Sequence, residues 1–115
     1  MRLRYLPGGK IYVDNETDKL KDDLLNSHWP KCNTIAQRLF EIGGGKAKEA
    51  LLAGLKGKRH HIRSASIKYL GKLGDVSLVS QLEPFLNDSS YETRMETKIA
   101  IRELTGKDIL TGRGE

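Results

Sequence analysis

The chain has 115 residues, of which 37% are hydrophobic and 30% charged, with a formal net charge of +5 and a single cysteine. This is one domain's worth of protein, and one thiol excludes an internal disulfide. No apolar run approaches the roughly 18 residues of a membrane span, and residues 1–9 lack the apolar core of a secretory leader, so a reducing, cytoplasmic setting is the expectation.

In chain order, residues 1–16 come first as an extended segment. Arg2–Leu6 and Lys10–Val13 flank Pro7-Gly8-Gly9, which reads as a short β-hairpin turn. Thereafter a pattern returns every 31 residues: Leu20, Leu51 and Leu82 stand in register, as do Leu24, Leu55 and Leu86. Trp29, His60 and Tyr91 follow in the same register, then Leu39, Leu70 and Ile101, and then Ile42, Leu73 and Leu104. A fixed period of this size marks stacked supersecondary units rather than one irregular core. The units span about 17–43, 45–74 and 75–106, with residues 107–115 as a tail.

Each unit reads as two helices. In the first, Leu20, Leu24 and Leu25 lie among Asp18, Lys19, Lys21, Asp22 and Asp23, the polar outer face that a terminal repeat needs. Its second helix runs from about Lys31 to Ile42, with Pro30 at the first turn. In the second unit, Ala47, Ala50, Leu51, Gly54 and Leu55 form one apolar stripe, and Gly57 ends that helix. Ile62, Ala65, Ser66, Tyr69, Leu70 and Leu73 form the next stripe, stopped by Gly74. The third unit begins with Leu78, Val79, Leu82, Phe85 and Leu86, where Pro84 predicts a kink because it cannot donate to the Ser80 carbonyl. Asp88-Ser89-Ser90 turns the chain, Ser89 and Glu92 are spaced as a capping box, and the last helix continues to about Leu104.

The stretch Ile62-Arg63-Ser64-Ala65-Ser66-Ile67-Lys68-Tyr69-Leu70-Gly71-Lys72-Leu73-Gly74-Asp75 resembles the second helix of short HEAT-like repeats, the variety named for phycobiliprotein lyases. Ile62 and Arg63 stand for the leading Val-Arg of that pattern, and Leu70–Asp75 for its L-G-x-L-G-D ending. Thr93-Arg94, Ile101, Leu104 and Asp88 carry the match in the third unit; the first keeps Leu39, Ile42 and Gly43 but has Cys32 in place of the arginine. The resemblance implies an all-α solenoid, a right-handed stack of three antiparallel helix pairs whose second helices line a concave face. Repeats of this kind serve scaffolds, lyases, a deoxyhypusine hydroxylase and DNA-repair glycosylases, so the fold names no chemistry.

Charge is uneven along the chain. Residues 30–74 hold ten basic and two acidic side chains, a surplus of +8, whereas residues 75–115 are net −3. Two binding readings follow. In the first, Lys68, Lys72, Arg94, Lys98 and Arg102 on the second helices grip an unidentified protein partner, an acidic one by charge. In the second, Lys56, Lys58, Arg59 and Arg63 join them in binding nucleic acid or another polyanion. Sparse aromatics and the acidic Glu92, Glu96 and Glu103 rank the protein partner first. Arg63 and Arg94 also have a structural role open to them, bridging between units to Asp75 or Asp88. Self-association through an end face or the N-terminal strand is a third expectation.

Catalysis is the least favoured class. His60-His61 is the only histidine pair and has too few evident partners for a metal site. Gly43-Gly44-Gly45-Lys46 lacks the rest of a P-loop, since Phe40 and Ala47 occupy the places of its other glycine and its Ser or Thr. Cys32 reads as a partly exposed thiol without a catalytic role. The expectation is a protein with no cofactor, no metal, no catalytic residue and no membrane partner.

Overall fold

The computed structural model describes the backbone of residues 4–5, 11–12 and 14–106. Arg4–Tyr5 and Ile11–Tyr12 pair antiparallel, Arg4 opposite Tyr12 and Tyr5 opposite Ile11. The Pro7-Gly8-Gly9 turn and the 107–115 tail lie outside the described residues. The remainder is all-helical: α1 Asp14–Asn26, α2 Lys31–Ile42, α3 Gly44–Gly54, α4 His60–Lys72, α5 Val79–Leu82 between two 3-10 turns, and α6 Tyr91–Thr105. Among the described residues no helix is long and apolar enough to cross a membrane.

Apolar spacing of three and four makes each helix one-sided. In α2 the buried residues are Cys32, Ile35, Ala36 and Leu39, and in α3 they are Ala47, Ala50, Leu51 and Gly54, one stripe per helix. Helix α4 differs, because α2, α3 and α6 all pack on it. Eight of its residues are buried, including the small Ser64, Ala65, Ser66 and Gly71. Small side chains let the neighbours close in: a Cβ on Gly71 would stand 2.7 Å from Ala100 Cβ. The hydroxyls this buries are satisfied, Ser66 donating to the Ile62 carbonyl at 2.8 Å and Ser64 sharing a bond with Thr93 Oγ1 at 2.9 Å. Among the described residues no buried side-chain nitrogen or oxygen lacks a partner, as a stable interior requires.

Helices two apart in sequence meet, α1 with α3, α2 with α4, and α4 with α6. The side chains that join them are about one period apart: Trp29 beside His61, Phe40 beside Tyr69, His61 beside Glu92.

Three local expectations are corrected. Pro84 does not kink a continuous helix. The stretch is broken into a 3-10 turn Val76–Leu78, the single α turn of α5, and a 3-10 turn Glu83–Asn87 holding Pro84 near its start. A missing N–H is tolerated at a first turn, so restarting there avoids the clash. The cap of α6 is Ser90, one residue later than the Ser89–Glu92 box, and its Oγ accepts from the Thr93 N–H. Asp88 takes the Ser90 N–H at 2.9 Å, which aims Ser90 at the helix. Cys32 is fully buried rather than partly exposed, because its position falls on the core stripe of α2. Burial pushes its thiol up from the ordinary value, which disfavours the thiolate that reactivity requires.

Candidate functional site

The N-terminal halves of α2, α4 and α6 converge. A cleft of about 220 Å³ is lined by Trp29 and Asn33 before and within α2, His61, Ser64 and Lys68 of α4, and Glu92 and Glu96 of α6. Trp29 is 58% exposed, and its ring centroid lies 6.1 Å from that of His61. A tryptophan left in water beside a polar cleft is a ready anchor, because it offers a large apolar area at little entropic cost.

The cleft carries both signs of charge. Burial raises the Glu96 carboxyl above its ordinary value; Glu92 and Glu103 add to this, while Lys68 and Lys72 oppose it. Lys68 also lies over the Tyr69 ring, 5.4 Å from its centroid. At its rim Glu92 Oε1 accepts from His60 Nδ1 at 3.2 Å and from His61 Nδ1 at 3.0 Å. The two imidazole rings lie with centroids 3.9 Å apart and planes tilted 42° to one another.

The structure divides the cations named from sequence. Arg63 is a strut: Nε and Nη2 donate to the two Asp88 carboxylate oxygens at 2.9 and 3.0 Å, and Nη1 to the Gly57 and Lys58 carbonyls. Only 15% of its side chain and 9% of that of Asp88 are exposed. Burial pushes the Asp88 carboxyl up, but Arg63, the Ser90 N–H and Arg94 outweigh it and hold it below the ordinary carboxylate range. Arg94 Nη1 donates to the Asp88 carbonyl at 2.7 Å and its guanidinium lies over Tyr91. Arg63 therefore reaches the Asp88 carboxylate from 25 residues away. Arg94 instead holds the Asp88 backbone six residues before it and, among the described residues, bridges to no carboxylate of another unit.

The five cations expected from sequence to grip a partner do not lie on one face. At 3.6 residues per turn, Glu92, Glu96 and Glu103 fall within an arc of about 40° on α6, and Arg94, Lys98 and Arg102 within an arc of about 80° on the other side. The buried ridge of Thr93, Thr97, Ala100 and Leu104 separates them. The acidic flank is the one that faces α4, since a Cβ on Gly71 would stand 3.2 Å from Glu103 Oε1. Lys68 and Lys72 therefore sit among carboxylates, and the side chains of Lys98 and Arg102 lie on the opposite flank.

Lys56, Lys58 and Arg59 are exposed and line a separate groove with Leu25, Asn26 and Gly57 at the α3–α4 turn. A further pair ties α3 to the turn after α4: Lys48 Nζ donates to Asp75, whose carboxylate also caps the following 3-10 turn through Ser77. These contacts, the Lys48 hydrogen bond first and Ser77 next, hold the Asp75 carboxyl down at about 2.

Trp29, Asn33, Glu92 and Glu96 were not among the site residues read from sequence. A usable signal was present, because His61 and Glu92 are 31 residues apart, one full period. No family model matches the chain, and no curated protein is matched.

Proposed function

We propose that the chain is a HEAT-like helical-repeat module, three helix pairs stacked as a short solenoid, that binds a partner protein without catalysis. The contacts between side chains one period apart support the stacking. The binding reading rests on one observation, the mixed-charge cleft at the starts of the second helices with Trp29 exposed beside it. The occupant is a peptide segment carrying both charges, with an apolar group against Trp29, a carboxylate for Lys68 and a cation for Glu92 and Glu96. A purely acidic partner is disfavoured by the carboxylates around Lys68 and Lys72.

Affinity capture from the native cell tests this. A partner held by the wild-type chain is lost with W29A/K68E/E96K and kept with K98E/R102E, which alters the opposite flank of α6. Equal capture by the cleft variant overturns the assignment.

Polyanion binding is a second reading, favoured by the exposed Lys56, Lys58 and Arg59 around their groove. It requires affinity for nucleic acid that falls steeply with salt and disappears in K56E/K58E/R59E.

A further inference from the structure

We propose that His60, His61 and Glu92 form a binding site for a divalent transition metal ion of the zinc class. Ligand atoms from the three residues lie within 4.8 Å of one another. The two imidazole Nδ1 atoms lie 3.2 and 3.0 Å from the same Glu92 oxygen. Ligands about 2.0–2.1 Å from a tetrahedral zinc are separated by about 3.3 Å. The two nitrogen–oxygen edges are therefore close to metal-bound spacing, and the nitrogen–nitrogen edge closes by rotation of half-exposed rings.

The backbone behind the ligands is fixed by contacts that do not use their side chains. His60 and His61 open α4, and Glu92 is the second residue of α6. The two helix starts are held together by the Arg63–Asp88 pair and the Ser64–Thr93 bond. Thr93 Oγ1 also donates to the His60 carbonyl at 3.4 Å. Binding need not order the chain, which lowers its entropic cost.

Donor chemistry selects the ion. Two imidazoles and one carboxylate suit zinc, cobalt(II) or nickel(II), whereas calcium and magnesium require mostly oxygen ligands. Side-chain exposures of 38–44% leave a coordination position open to water. Bound metal replaces the shared Glu92 hydrogen bonds and clamps α4 to α6. The site does not depend on the partner-binding reading, because it needs no occupant in the cleft.

Isothermal titration of the untagged protein with zinc chloride tests the proposal. One equivalent binds with a dissociation constant in the micromolar range or tighter, and cobalt(II) shows the intense visible bands of a tetrahedral site. Affinity falls at least tenfold in H61Q and in E92Q, both of which retain the wild-type circular dichroism spectrum. H28A, which removes the remaining histidine, binds as wild type. Zinc raises the melting temperature of the wild type but not of E92Q. Absence of saturable one-to-one binding, undiminished affinity in H61Q and E92Q, or an equal loss in H28A overturns it.

Discussion

Removing the carboxylate of Asp88 leaves the Arg63 guanidinium charged and mostly buried, with only the Gly57 and Lys58 carbonyls as partners. Breaking a buried pair on one side costs about 3–5 kcal/mol. The two retained carbonyl bonds place D88A toward the lower end, about 3 kcal/mol, against a total of about 5–15 kcal/mol for a domain. At about 4–8 °C per kcal/mol for a domain of this size, the melting temperature falls by about 12 °C or more. Urea unfolding followed by circular dichroism measures the loss. The double variant R63M/D88L removes the stranded charge as well and recovers about half of it or more. The pH dependence has a definite sign. The folded-state carboxyl of Asp88 is held below its ordinary value, so its contribution is complete above the unfolded value of about 3.9 and is lost as pH falls through the folded one. D88A is therefore less stable than wild type at neutral pH and converges on it in strong acid. A D88A chain within about 0.5 kcal/mol of wild type at pH 7, or a deficit unchanged in acid, refutes the strut.

Two glycines give opposite outcomes with the same substitution. G71A drives a methyl into Ala100 and costs about 1–3 kcal/mol, whereas G45A, with open space around the new Cβ inside α3, stabilises by up to about 1 kcal/mol; melting temperatures separate the two. Cys32, fully buried, resists thiol reagents in the native state and reacts once urea unfolds the chain; rapid stoichiometric labelling in native buffer contradicts its place in the core. Asp75 titrates near 2, so the stabilisation it supplies is present above its unfolded value and is lost as pH falls toward 2. In K48M the Asp75 midpoint, followed by carboxyl carbon NMR, moves up toward the ordinary value of about 3.9; an unmoved midpoint removes Lys48 as its main cause.

Helix α4 shows how far local pattern reaches. Its stripe of Ile62, Ala65, Ser66, Tyr69 and Leu70 was legible from spacing, because 3.6 residues per turn dictate which side chains share a face. That Ser64, Ile67 and Gly71 are buried too was not, since it depends on a third neighbour arriving from α6. The α6 cap moved by one residue for a similar reason. Which of two adjacent serines caps depends on the Asp88 carboxylate turning Ser90 toward the helix.

The candidate site was less legible than the fold. Charge at a sequence position does not say whether the charge is spent. Arg63 is held between Asp88 and the Gly57 and Lys58 carbonyls, whereas Lys68 faces the cleft. Helical spacing puts Arg94, Lys98 and Arg102 on one side of α6 but does not say where that side lies relative to Lys68 and Lys72. Which flank of α6 turns to α4 is set by packing of Ala100 against Gly71.

By itself the sequence determined the 31-residue period and the all-helical class, because those follow from local geometry. It placed the start of α1 and the end of α3 about three residues late, and read one helix across Val76–Asn87, where the chain makes two 3-10 turns around a single α turn. Tertiary structure alone decided which polar groups remain available. Contacts between helices consumed Arg63, set Glu96 beside Lys68, and gathered His60, His61 and Glu92 at one point.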